Sequence, residues 1–215
     1  MIQLTYQQLK AAVEAKGYAF FDKGDHNLNI VGIRSVDEFT NAFDDTLCFA
    51  WRENGDEKVL CLPGTTKPGT YGAAFNPVTV MGVTGTGVLI PGQYRGCWEW
   101  HDCPDADFGD WNKTWSGYPY MQQVGALKLW RDGNRDTVID HVYEQEGMFG
   151  INLHQMSMNS ARAEDMSGQV NNWSEGCQGA RLPDYLPAIP VIRAAVAAYG
   201  IRFSYTLLME TDLSV

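Results

Sequence analysis

The chain has 215 residues, 45% hydrophobic and 20% charged. That profile fits one folded domain of ordinary size, about 100–200 residues, and excludes disorder as its main state. Its net charge is −10, from 16 basic and 26 acidic residues, with no cluster of Lys or Arg, so the basic face that nucleic acid requires is absent. Seven Trp, 12% aromatic residues and 22 Gly favour a strand-and-turn protein with stacking surfaces.

No apolar run approaches the ~20 residues of a membrane helix, which argues against membrane insertion. The opening MIQLTYQQLKAAVEAKGY lacks the apolar segment of a signal peptide, so the expectation is a protein made in the cytoplasm without a cleaved leader. Residues 5–16 predict a short helix with Leu9, Ala12 and Val13 on one face, Thr5 as its cap and Gly17 as its stop. This helix and the loop 22–27 form an N-terminal unit, residues 1–27, before a single domain over 28–215. LNIVGIR (28–34) predicts a buried strand. The apolar runs 46–52 and 58–62 flank Asn54-Gly55, the strongest short hairpin signal. The Gly/Pro/Thr-rich stretch 63–96 predicts turns with short strands, the clearest being Val88-Leu89-Ile90 before Pro91. Residues 97–120 carry Trp, Asp and Gly without period and predict a long surface loop, a length that is often functional. Segments 124–131 and 137–144 predict a second hairpin. A strand over 148–154 ends on His154, a helix spans 187–199, and a strand closes the chain at 201–210. Composition and pattern together support α+β, rich in strand.

Five cysteines (Cys48, Cys61, Cys97, Cys103 and Cys177) are an odd number without a CxxC pair, which argues against a disulfide framework or a structural zinc. Two segments have the residue types for nucleophilic catalysis. Gly150-Ile151-Asn152-Leu153-His154 delivers a histidine at a strand end, and Trp173-Ser174-Glu175-Gly176-Cys177-Gln178 sets a cysteine after a glycine in a polar turn. A thiol nucleophile needs a base, and histidine is the usual one. It also needs backbone N–H donors for the oxyanion, and the glycine before Cys177 allows the tight turn that aims the Cys177 N–H at it. The plain alternative for Cys177 is a packed thiol, because free cysteine is among the most buried residue types.

The strand histidine followed by Ser-x-Gly-Cys resembles the signature of the L,D-transpeptidase family. Thr66-Lys67-Pro68-Gly69-Thr70-Tyr71 is similar to the family's Thr-Pro-x-Gly-x-Phe/Tyr turn at the substrate groove, and the order of turn, His and Cys agrees. The resemblance spans residues 28–182 in islands. Glu175 stands where the family has a second histidine, the interval from His154 to Cys177 is a few residues longer, and Gln178 replaces an arginine, with Arg181 further on. The resemblance implies a mainly β (α+β) fold, a curved mixed sheet or β-sandwich with short terminal helices. It implies cysteine acyl transfer on peptidoglycan stem peptides through a thioester, with Cys177 as nucleophile, His154 as base and Gly176 shaping the oxyanion turn. Ser174, Glu175, Gln178, Arg181, Tyr71 and Trp173 are then candidates for substrate contact, and no cofactor is required. Without a leader, reaching the cell wall implies delivery by a phage or a secretion apparatus, whose proteins would be partners.

Asp132, Asn134, Asp136 and Asp140 match the front of a calcium loop, although Thr137 and Tyr143 stand where glycine and glutamate are wanted. A structural calcium there competes with a polar hairpin turn. His101, Asp102, Cys103, Asp105 and Asp107, with His141 or His154, offer a zinc-peptidase alternative that lacks any compact zinc motif. A third reading is a non-catalytic wall-binding or virion structural protein on the same fold.

Overall fold

A computed structural model describes residues 1–37, 40–69, 79–80, 83–103, 119–132, 138–156 and 168–213. In chain order its elements begin with α1 (Tyr6–Ala15), β1 (Asn29–Arg34), β2 (Asp45–Glu53), β3 (Asp56–Gly64), the short pair β4 (Thr79–Val80) and β5 (Val83–Thr84), β6 (Thr86–Leu89) and β7 (Gly92–His101). They continue with β8 (Tyr120–Gln123), β9 (Leu127–Asp132), β10 (Gln145–Gly147), β11 (Leu153–Gln155), β12 (Gln178–Ala180), α2 (Leu182–Tyr185), α3 (Ala188–Tyr199) and β13 (Arg202–Met209). The fold is mainly β, as expected, with few short helices.

Local chemistry accounts for the first elements. Thr5 and Gln8 form a reciprocal capping box at the start of α1, which satisfies two of the N–H groups a helix start leaves open. The buried stripe Tyr6, Leu9, Ala12 and Val13 packs on Val31, Ile33, Cys48, Ala50 and Leu208 of the sheet. Asn54 (φ 52) and Gly55 (φ 83) take the left-handed pair of angles that a two-residue hairpin between β2 and β3 demands. On the other side of β1 and β2, Ile30, Leu47 and Phe49 enter the main core with Trp98, Tyr205 and the α3 residues Ile189 and Ile192. These strands are covered on both faces, and their sequence is correspondingly a continuous apolar run.

Eight strands form one mixed sheet in the order β12-β11-β8-β7-β13-β1-β2-β3, and a second sheet has the order β10-β9-β6. The large sheet curls until Thr65, just past β3, bridges Gly179 of β12, with N–H···O distances of 2.7 and 3.0 Å. The sheet is therefore nearly closed, and its seam runs beside the turn that carries Cys177. No helix among the described residues is long and apolar enough to cross a membrane.

Three sequence expectations need correction. Cys97–His101 and Tyr120, read as loop, are strand. A bulge hides the period: Gly96 sits at φ 57 and the register opposite shifts between Phe203 and Tyr205. The second hairpin exists, but its return strand is Gln145–Gly147 rather than 137–144, and among the described residues 138–144 none is in a strand. The strand before His154 is only Leu153–Gln155, because Gly150 turns at φ 75. There the N–H groups of Phe149 and Ile151 leave the ladder and donate to Gln123 Oε1, at 2.9 and 3.0 Å.

Candidate active site

β11 and β12 run parallel, with Leu153 opposite Gln178 and His154 opposite Gly179. The Gln178 N–H to Asn152 O bond of 2.8 Å extends this register toward Cys177. Cys177 thus enters the strand beside Asn152, and its Sγ accepts the Asn152 N–H and donates to Gly150 O, both at 3.5 Å. His154 and Cys177 lie two residues out of register on neighbouring strands, which corresponds to a Cα separation of about 8 Å.

The turn around Cys177 is built from its own polar side chains. Ser174 Oγ accepts the Gly176 N–H at 3.1 Å and lies 2.8 Å from Cys177 O and 3.2 Å from Lys67 O. Gln178 donates to Gly176 O at 3.0 Å and accepts from the Tyr205 hydroxyl at 3.0 Å. Both residues are fully buried, so they serve as struts inside the fold where the sequence suggested substrate contact. The Gly176 N–H is likewise occupied, whereas the Cys177 N–H has no hydrogen-bond partner among the described residues. The oxyanion donor on hand is therefore the Cys177 N–H, the one the sequence reading aims at the oxyanion, and Gly176 adds none.

The Thr-Lys-Pro-Gly segment meets this turn directly. Gly69 N–H donates to Ser174 O at 2.9 Å, and a Cβ on Gly69 would fall 1.9 Å from Asn171 O. Beneath it lies a buried charge network. Asp45 accepts from Thr66 N–H and Oγ1, both at 2.7 Å, while Arg34 donates to Thr66 Oγ1 at 3.0 Å and Thr66 O at 2.6 Å. Lys67 Nζ is 3.3 Å from both Asp44 and Asp45. Buried charges persist only when paired in this way, and here the pairing fixes the backbone against which the Cys177 turn docks. Tyr71 lies outside the described residues.

His154 is 1% exposed. Its Nδ1 sits 2.7 Å from Gln155 O, so in the neutral ring Nδ1 carries the proton and Nε2 is the basic nitrogen. Burial pushes the imidazole down to about 4, opposed by the Gln155 carbonyl. Burial pushes the Cys177 thiol up to about 11, opposed by the Asn152 N–H and reinforced by the negative charge of Glu175. At neutral pH both groups are uncharged. A thiolate–imidazolium pair is not the resting state, and the thiol must lose its proton as it attacks.

Cys177 opens on a cavity of about 140 Å³ lined by Thr86 and Gly87 of β6, Gly85 just before β6, Leu129 and Arg131 of β9, Phe149, Gly150, Ile151 and Glu175. His154 is not in this lining. The sequence reading missed Arg131 and the Gly85–Gly87 segment. The available signal is Gly87 inside a strand, with Gly85 just before it, which marks close approach of another backbone. A Cβ on Gly176 would sit 2.4 Å from Gly87 O, and Gly176 has φ 128. Gly176→Ala is therefore expected to destabilise the fold by about 2–4 kcal/mol, read as a lowered denaturation midpoint. An unchanged midpoint would contradict this packing.

Glu175 is exposed and Trp173 is half-buried in a single turn over Asn171–Trp173. Arg181 precedes α2 and pairs with Asp184 at 2.7 Å. Of the calcium set, Asp132 is buried at the end of β9 and Asp140 is half-buried, while Asn134 and Asp136 lie outside the described residues. Of the zinc set, His101 stacks on Tyr120 at 5.0 Å, Asp102 pairs with Arg193 at 2.8 Å, and His141 stacks on Trp130 at 4.3 Å. Among the described residues no three His, Cys, Asp or Glu side chains gather as a metal site.

A second thiol bears on any labelling experiment. Cys61 faces Cys48 across the β2–β3 hairpin, and hydrogen bonds from Cys48 and the Leu4 N–H lower its pKa. Iodoacetamide at pH 8 is expected to modify Cys61 ahead of Cys177, because the lowered pKa of Cys61 gives it the larger thiolate fraction while burial raises the pKa of Cys177. Peptide mapping of partly alkylated protein checks this, and Cys177 reacting first would contradict its protonated resting state. Compared with known proteins, the chain matches no family model, no curated protein and no solved structure.

Proposed function

We propose that this protein is a cysteine acyl-transfer enzyme of the L,D-transpeptidase type, acting on peptidoglycan stem peptides. The observation that carries the reading is the meeting of Thr65–Gly69 with Ser174–Gln178, distant in sequence, around a cysteine that opens on a cavity. Residue types alone do not require these two islands to touch.

In the proposed reaction, Cys177 Sγ attacks the carbonyl of the scissile amide while its proton passes to His154 Nε2. The Cys177 N–H stabilises the developing oxyanion. Collapse breaks the C–N bond, the proton on His154 goes to the leaving amine, and a thioester remains on Cys177. Water then gives hydrolysis, and an acceptor amine gives exchange or cross-linking. Every step uses groups of this chain.

The competing reading, a wall-binding protein without catalysis, draws on the thiol held at about 11 beside Glu175. Muropeptide profiles of purified sacculi separate the two. Wild-type protein is expected to change stem-peptide products and Cys177→Ala to leave them as in buffer. Wall binding with an unchanged profile for both proteins would favour the second reading.

A further inference from the structure

Cys48 in β2 and Cys61 in β3 face each other in register, and the pairing continues unbroken from them to the Asn54-Gly55 turn. The closing pair of a two-residue hairpin, here Glu53 and Asp56, exchanges both backbone hydrogen bonds, and bonded and non-bonded pairs alternate from there. Counted along the register, Cys48 and Cys61 are a non-hydrogen-bonded pair. An observed bond fixes the same phase: Arg52 O, on the same side of the strand as Cys48 O, turns away from β3 and accepts the His26 N–H at 2.7 Å. In such a pair the Cα atoms lie about 4.5 Å apart and the side chains approach closely, within the roughly 4.4–6.8 Å that a disulfide spans. Both thiols are free. They lie on the face that α1 covers, Cys48 fully buried and Cys61 half-buried at its margin.

We propose that Cys48 and Cys61 are an oxidation site for peroxide, closing a reversible disulfide across the β2–β3 hairpin while Cys177 remains a thiol. Neither residue lines the Cys177 cavity, so this holds whether or not Cys177 is a nucleophile. The pair divides into an attacking and a resolving sulfur. Cys48 donates a hydrogen bond to Cys61 and the Leu4 N–H donates another, so negative charge is favoured on Cys61 and opposed on Cys48. Cys61 is also the sulfur nearer solvent. Its thiolate attacks one oxygen of hydrogen peroxide, the O–O bond breaks, and the departing hydroxide takes up a proton as water. The Cys48 sulfur then attacks the sulfenic acid on Cys61, the S–O bond breaks, and the hydroxyl leaves as water with the Cys48 proton. Two thiols and one peroxide thus give a disulfide and two waters, with sulfur oxidised and oxygen reduced. The other thiols lack this arrangement. Burial raises Cys97 to about 12 and Cys177 to about 11, and burial and Asp102 raise Cys103. The new bond lies three rungs from the Asp45–Gly64 pair, so it staples the hairpin whose Asp45 holds Thr66 beneath the Cys177 turn.

The test treats the full reduced chain with a slight excess of hydrogen peroxide, blocks the remaining thiols with N-ethylmaleimide in denaturant, and maps the tryptic peptides. Arg52 and Lys58 lie between the two cysteines, so trypsin parts them unless a disulfide joins them. The expected product is the Cys48 peptide linked to the Cys61 peptide, monomeric on a non-reducing gel and reversed by dithiothreitol, with Cys177 recovered as the blocked thiol. The linked chain is expected to have a higher denaturation midpoint than the same chain after reduction. Cys48→Ala is expected to leave on Cys61 a sulfenic acid that dimedone captures, and Cys61→Ala to leave Cys48 a thiol. No linked pair, a link to another cysteine, or a link that joins two chains would overturn the proposal, and all three are read on the wild type, so they stand if a variant does not fold. A sulfenic acid on Cys48 in Cys61→Ala would overturn the assigned order of attack, and equal midpoints would overturn the staple.

Discussion

Substituting Cys177 with alanine is expected to reduce turnover of a stem peptide by about 10⁴-fold or more, the scale seen when a nucleophile is lost from an acyl-transfer site. The protein should remain folded. Cys177 is half-buried, and its sulfur makes only two long contacts of 3.5 Å with backbone. The turn around it is held by Ser174, Gln178 and the Thr65–Gly69 segment, which the substitution does not touch. Activity and stability should therefore separate, and paired kinetics and denaturation midpoints check that separation. Full activity in Cys177→Ala would mean that the cavity serves another purpose.

The second large effect is a loss of stability in acid caused by His154. Its imidazole is held at about 4 in the folded chain, against an ordinary ~6.5 once unfolded. Between those values the unfolded chain binds the proton and the folded chain does not, so stability falls as pH falls. The contribution is complete above pH ~6.5 and is lost as pH approaches about 4, with a size of about 3 kcal/mol. Carboxylates titrate in the same window, so the comparison that isolates this group is wild type against His154→Gln. The drop in denaturation midpoint between pH 7.5 and 4.5 should be smaller in the variant than in the wild type, and an equal drop would contradict a buried neutral imidazole. The same position sets the rate profile. With the base neutral from about pH 5 upward, kcat/KM should show its acid limb near pH 4 and no fall around pH 7.

The elements legible in the sequence were those specified by local chemistry. Thr5 with Gln8 starts α1 and Asn54-Gly55 turns the first hairpin, and neither needs a distant partner to be recognised. β7 was cut short because a bulge at Gly96 breaks the alternation that marks a strand. The run before His154 was overextended because a buried glutamine, Gln123, takes over bonds that a strand would have made. In the site, Cys177 and His154 stood out by residue type. Ser174 and Gln178 were misassigned because polarity does not reveal whether a side chain faces a ligand or its own turn. Arg131 was missed because nothing adjacent to it in sequence shows that β9 runs past the cysteine turn, a fact set by pairing with β6.

The most direct measurement is intact-protein mass spectrometry of the chain incubated with a carbapenem, a strained amide that acylates a competent thiol, followed by peptide mapping. A single acyl adduct on the peptide containing Cys177, absent from Cys177→Ala, is the predicted result. No adduct, or an adduct confined to Cys61, would contradict the assignment of Cys177 as the nucleophile.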